Sequence, residues 1–298
     1  MTGGRSSRTS RSSNGGRYSS GSRGPLTLAI DIGGTALKAS VLDSAGRMVA
    51  ERVRVPTPYP CPPKVLLNAL VELTAPLPAF GRVSIGFPGV VRNGRTLTAP
   101  HFERKAWHDY PLEAAAAHRF GRPARLLNDA EVQGLGIIAG KGLEVVLTLG
   151  TGVGSAVFKD GWLAPHLELA QHPLHDGKTY NDYVGNEAFH RHGKKRWSHR
   201  VLETIEVVRS LLHYDVLYLG GGNARHLTAN LPRDVRTASN DTGITGGIYL
   251  WDESVWQDIR GSRAHNGAAG SAASRLHPTA ATPRLRPSSS TKPTGKLS

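Results

Sequence analysis

From Leu26 to Asp43 the chain alternates: Leu26, Leu28, Ile30 and Ile32 interleave with Thr27, Ala29 and Asp31, the two-residue period of a strand. Gly33 and Gly34 break the run, and apolar positions resume at Leu37, Ala39 and Val41. The pattern predicts two strands joined by a tight glycine turn, with Asp31 ending the first. Further strands are expected at 47–55, 82–87, 123–127, 143–149, 155–158 and 216–219. Helices are expected at 64–73, 112–120, 130–139 and 198–212, the last with Val201, Ile205, Val208, Leu211 and Leu212 inward. Residues 56–63 form a proline-rich link, 101–110 a polar and aromatic loop, and 162–200 a weakly periodic stretch. A small-residue helix at 241–250 is expected to pack near Gly220–Gly222, and the coherent fold to end near 258.

The strand–glycine turn–strand device occurs twice, at 30–41 and at 145–158, and a third glycine turn, Gly220–Gly222, follows a strand. A duplicated α/β architecture is implied, with two lobes around a central cleft. We read residues 25–125 as the N-terminal lobe and 126–260 as the C-terminal lobe.

Charge changes this picture only at the ends. The net charge is +14, yet residues 1–24 hold five Arg and residues 261–298 hold four Arg and two Lys, with no acid in either. Both tails are nearly free of large apolar side chains and are read as disordered basic extensions. No nucleic-acid partner is expected from them, and a transit peptide is disfavoured because no amphipathic face is present. No apolar run approaches the roughly 18 residues of a membrane span. Cys61 is the single cysteine, so an intrachain disulfide is excluded and a cytoplasmic location is expected.

Glycine turns leave backbone N–H groups open to a phosphate, with no Cβ in the way. Gly33, Gly34 and Thr35, then Gly150, Thr151 and Gly152, then Gly221 and Gly222 are the candidates, with Lys38 as an added cation. An acid such as Asp31 beside a phosphate calls for a divalent cation between them. Asn128-Asp129 falls where a strand meets a helix, which suits a helix N-cap and also an exposed acid at a strand end. His166, His172, His175, His190, His192 and His199 crowd one region but match no metal-ligand spacing. Lys194-Lys195-Arg196 reads as a solvated basic turn, with Trp197 as a core anchor.

With these residues in view, the chain resembles the ROK family of sugar kinases, within the actin-like ATPase-domain (ribonuclease H-like) superfamily. The resemblance spans about residues 26–251. It rests on DIGGTALK (31–38), LNDAEVQGLG (127–136), LTLGTGVGSAVF (147–158) and LYLGGG (217–222). The stretches DGWLAPHLELAQHP (160–173), GKTYNDYVG (177–185) and GKKRW (193–197) are similar to those of bacterial polyphosphate glucokinases.

The resemblance implies a phosphotransferase with an alcohol acceptor, a hexose, with polyphosphate and/or ATP as donor. It implies Asp129 as general base, Asn128 and Glu168 as sugar contacts, Mg²⁺ held by Asp31 through water, and the glycine turns on phosphate. A homodimer is compatible with it. Two sugar contacts depart from the family. Its Glu-X-Gly-His motif is here Glu168-Leu169-Ala170-Gln171, with His172 one place late, and His101 stands where relatives present an Asn. Glucose is the expected acceptor, with another small alcohol, or a weakened sugar-sensing protein, as alternatives. A ROK-type transcriptional regulator is disfavoured, because only about 25 low-complexity residues precede the first strand. The run Lys194, Lys195 and Arg196, among histidines, motivates a track for a polymeric anion.

Overall fold

The computed structural model describes residues 24–239 and 241–256; both basic tails lie outside the described residues. The first sheet is built from β1 (Thr27–Ile32), β2 (Ala36–Leu42), β3 (Val53–Pro56), β4 (Arg82–Phe87) and β7 (Ala124–Asn128), in the order β3-β2-β1-β4-β7. Between them lie α1 (Pro63–Thr74), a short ribbon of β5 (Val91–Arg92) and β6 (Arg95–Thr96), α2 (Arg104–Trp107) and α3 (Leu112–Phe120). Helix α4 (Asp129–Leu135) leads to the second sheet.

That sheet has the order β10-β9-β8-β13-β14, from β8 (Leu143–Leu149), β9 (Val153–Lys159), β10 (Trp162–Leu163), β13 (Val216–Gly220) and β14 (Val235–Thr237). Both sheets pair antiparallel on one side of the central strand and parallel on the other, so the duplication seen in the glycine turns holds for the whole sheet. The ribbon β11 (Pro173–His175)–β12 (Lys178–Thr179), α5 (Tyr180–Val184) and α6 (Asn186–Leu212) separate β10 from β13.

Each sheet has its own core. Leu28, Ile30, Ile32, Leu37, Val83, Ile85 and Phe87 pack under α1 and α3, whose Leu66, Leu70, Leu112 and Ala116 are buried. Val145, Leu147, Leu217 and Leu219 pack against Val201, Ile205 and Val208 of α6. Trp197 is fully buried, and its indole N–H donates to Val184 O at 2.9 Å, the anchoring role expected of it.

Several expectations are corrected. The strand at 47–55 shrinks to Val53–Pro56: Met48 and Val49 are exposed and meet the end of β2 only through a single bridge, Leu42 to Met48, and the Val49 amide donating to Val41 O at 2.8 Å. The loop at 101–110 contains α2 and the fully buried Trp107, stacked among Phe87, Phe102 and Tyr110 and donating to Cys61 O at 2.8 Å. The stretch 162–200 is ordered into β10, β11, β12, α5 and the first half of α6, which breaks at Gly193 where φ is 70°. Leu211 points to solvent, 54% exposed, rather than inward.

Residues 241–250 form α7 (Thr242–Thr245) and a 3₁₀ segment, Gly246–Trp251. They do not rest on the Gly220–Gly222 turn, because the Gln133 side chain fills the space against Gly220 and donates to Thr242 Oγ1 at 3.1 Å. The segment instead returns to the first sheet. Ser84 Oγ donates to Gly247 O at 2.6 Å, the Trp251 indole donates to Ser84 Oγ, and the Arg82 and Arg125 guanidiniums lie 4.9 and 4.7 Å from the Trp251 ring. Among the described residues no helix is long and apolar enough to cross a membrane.

Candidate active site

The site begins at the junction of β7 and α4. Asn128 caps α4: its Oδ1 accepts from the Ala130 and Glu131 amides, and Glu131 Oε2 accepts from the Asn128 amide at 3.1 Å. The Asn128 amide group also donates to Gly89 O at 3.0 Å and Phe87 O at 3.4 Å. A sugar contact by Asn128 would therefore require exchange of one of these bonds. This lock fixes the next residue, Asp129, which opens the helix half-buried at the cleft.

Burial pushes the Asp129 carboxyl up to about 7, and repulsion from Asp31, Glu168 and Glu131 adds to it, against one hydrogen bond from the Ala130 amide. A carboxyl poised near neutrality and open to a cleft is what general-base chemistry asks for. Gly154 sits close by, and a Cβ there would stand 2.9 Å from Ala130 Cβ and 3.8 Å from Asp129 Oδ1. The second glycine turn thus passes over the start of α4.

The two glycine turns meet. Thr35 Oγ1 and Thr151 Oγ1 are 2.8 Å apart, across 116 residues of sequence. The Gly33 amide is used by Ala36 O, Gly150 by Gly152 O, Val153 by Asn181 Oδ1 and Gly154 by Thr148 Oγ1. The amides of Gly34, Thr35, Thr151 and Gly152 have no acceptor among the described residues. The third turn buttresses the second: Gly221, at φ 80°, leaves no room for a Cβ against Leu149, and the Asn223 amide donates to Leu149 O at 2.8 Å. Asn223 Nδ2 reaches Gly150 O at 3.4 Å, a supporting contact that no local pattern announces.

Lys38 is turned to Asp31, with Nζ 2.7 Å from Oδ2, so its charge is directed to that carboxylate across the β1–β2 register. Asp31 Oδ1 accepts no hydrogen bond from a described residue. Gly243 packs at 3.5 Å from Asp31 as far as a Cβ there is concerned, so the returning C-terminal segment walls that side.

On the acceptor side, Glu168 and Gln171 line a cavity of about 580 Å³ with Thr98, Ala99, Pro100 and Arg104. Glu168 Oε1 accepts from the Ala170 amide at 3.1 Å. His101 stands between this cavity and the glycine turns, and burial lowers its affinity for a proton while Glu168 opposes that. His166 departs from the other five clustered histidines. Its Nδ1 is 2.7 Å from Glu131 Oε1, its Nε2 is 3.5 Å from Glu168 Oε2 without a hydrogen bond, and its side chain is largely buried. The signal for it was absent from the sequence, since it depends on Glu131 arriving from α4.

Lys194, Lys195 and Arg196 are exposed on α6. Lys195 and Arg196 line a second cavity of about 570 Å³ with His192, His199 and Thr228. Among the described residues no group of three or more His, Cys, Asp or Glu side chains could hold a metal ion.

Residues 27–165 match the model of the ROK family. A polyphosphate glucokinase of Mycobacterium tuberculosis is 28% identical over 207 residues, 66% of this chain and 78% of its own. The solved inorganic polyphosphate/ATP-glucomannokinase of Arthrobacter sp. strain KM is similar with a TM-score of 0.69 at 29% identity, over 76% of this chain and 97% of its own. A ROK family glucokinase of Streptomyces griseus, in complex with glucose and AMPPNP, has a TM-score of 0.60 at 20% identity, over 76% and 98%, a likeness of fold. The duplicated sheets, the facing glycine turns and these likenesses agree: residues 27–165 match the ROK family, and the chain shares the two-lobed, actin-like ATPase fold of ROK sugar kinases.

Proposed function

We propose that this protein is a sugar kinase that transfers the terminal phosphoryl group of polyphosphate and/or ATP to a hexose hydroxyl, glucose to glucose 6-phosphate first among them. The observation that carries this reading is the Asp129 carboxyl, raised to about 7 and held at a helix start beside the paired glycine turns. Asp129 takes the proton of the attacking hydroxyl, and the hydroxyl oxygen forms the new P–O bond as the donor's bridging P–O bond breaks. The Gly34, Thr35, Thr151 and Gly152 amides supply fixed donors for the charge on the phosphoryl oxygens. Glu168 and Gln171 orient the sugar from the cavity side, with Asn128 setting the position of Asp129.

Asp31 suits Mg²⁺ held through water: one oxygen lacks a protein partner, and its charge presses on Asp129, a repulsion that a cation would relieve. Mg²⁺ is ordinarily bound by one or two carboxylates plus substrate phosphates and keeps several waters, so a dedicated cage of protein ligands is not required. When bound it neutralises charge on the donor's phosphates.

The exposed Lys194, with Lys195 and Arg196 at the second cavity, supports a polymeric donor, since flexible cations outside the glycine turns can follow a long anion without fixing one register. The test is kcat/KM for long-chain polyphosphate and for ATP over a sugar panel, in wild type and in Lys194→Ala/Lys195→Ala/Arg196→Ala. The expected result is glucose turnover with a selective loss on polyphosphate, the loss shrinking as salt rises. Equal loss with both donors removes the track, and no turnover with any pairing removes the kinase reading.

A further inference from the structure

We propose that His101, which stands where relatives present a sugar contact, donates a hydrogen bond from its imidazole to the phosphoryl group in transit between the two glycine turns. The inference rests on the kinase reading and deepens it. A Cβ built on Gly34 would stand 2.9 Å from His101 Cγ, and one built on Gly152 would stand 3.3 Å from His101 Nε2. The ring therefore spans the gap between the turns, with its Nε2 end at the second turn. A Cβ at Gly34 would force the ring to shift, and one at Gly152 would press on it.

An imidazole carries at least one N–H in every protonation state. Here the residue is half-buried, and neither ring nitrogen is hydrogen-bonded to a described residue. Gly34 and Gly152 lie against the ring, and their amides, with those of the adjoining Thr35 and Thr151, are also without acceptors among the described residues. Donors lacking acceptors, gathered on two turns that the imidazole bridges, fit a tetrahedral oxyanion better than a sugar hydroxyl, which would need acceptors as well. The charged group facing His101 is Glu168, and burial favours the neutral ring. The contact is accordingly a directed N–H bond rather than an ion pair, which leaves the charge of the donor to the amides and the cation. An Asn at this position is shorter than an imidazole and would leave the Gly152 end of the gap open.

The experiment compares wild type, His101→Ala and His101→Gln, with steady-state kinetics for both donor and sugar. The expected result for His101→Ala is a fall in kcat of about 10²-fold, the loss typical of one oxyanion donor, with sugar KM held within about twofold. His101→Gln, whose amide keeps a donor, is expected to recover part of it. A rise in sugar KM alone would assign His101 to the acceptor, and tighter donor binding in His101→Ala would make the ring an obstruction; either overturns the proposal. A titration of wild-type protein carrying ¹⁵N-labelled histidine with inorganic pyrophosphate adds a readout independent of turnover. A shift of the His101 ring nitrogens, lost in His101→Gln, supports the contact, and an unmoved signal refutes it. If wild type turns over no sugar with any donor, the kinase reading falls, and the pyrophosphate titration still decides the phosphate contact.

Discussion

His166 Nδ1 lies 2.7 Å from Glu131 Oε1, and the other oxygen of that glutamate accepts the Asn128 amide, so one buried carboxylate ties the loop after β10 to the first turn of α4. Burial alone would lower the proton affinity of His166, but Glu131 and Glu168 outweigh it and raise the imidazole to about 9. The folded-state value exceeds the ordinary 6.5, so this pairing contributes fully below about pH 6.5 and is lost as pH rises through about 9. Wild-type Tm should therefore fall between about pH 7 and about pH 10, and His166→Gln should lose less over the same interval. Thermal unfolding at the two pH values checks this; parallel losses would remove His166 from the account.

Asp129 joins activity to instability. Its carboxyl is raised from 3.8 to about 7, so the stability linked to this group is present below about pH 3.8 and lost as pH rises through about 7. Above neutrality the carboxylate is a cost that the reaction requires. Asp129→Asn should lower kcat by about 10²–10⁴-fold, and in wild type kcat/KM should fall about tenfold per unit below about pH 7. At pH about 8 the same variant should melt higher, at about 2–4 °C for each kcal/mol relieved in a domain of this size. Near-normal kcat in the variant would remove Asp129 as the base.

The outward turn of Leu211 is tested by contrast with its neighbour on α6. Ile205 is fully buried in the second core, whereas Leu211 is 54% exposed. Ile205→Ala should cost about 2–5 kcal/mol through lost burial and a cavity, and Leu211→Ala should stay within about 0.5 kcal/mol. Urea denaturation of the two variants is the measurement, and similar losses would contradict the orientation of α6.

Ala170 is buried beside Glu168, and Gln171 lines the acceptor cavity. Restoring the family motif with Ala170→Gly/Gln171→His should raise glucose kcat/KM by roughly two- to tenfold, the equivalent of one hydrogen bond worth about 0.5–1.5 kcal/mol. An unchanged value, together with a preferred different sugar in the unmodified protein, would assign the altered motif to a change of acceptor.

The local pattern by itself determined the parts of this protein whose physics is local. Alternation over residues 26–43 and the apolar run at 143–149 made both strand–glycine turn–strand devices legible, because short runs of strand-forming residues broken by paired glycines leave few other local conformations. Asn128 as a helix cap was equally legible, since its partners lie two and three residues ahead. What only the tertiary structure decided are relations across long separations: Thr35 against Thr151, His101 between Gly34 and Gly152, and His166 held by Glu131. The return of Trp251 to Ser84 spans 167 residues. Sequence spacing carries no trace of such contacts, because they follow from how two separately formed sheets are brought face to face. Leu211 shows the same limit in reverse, since helical spacing admits it to the inner face and only the packing of α6 on the second sheet turns it outward.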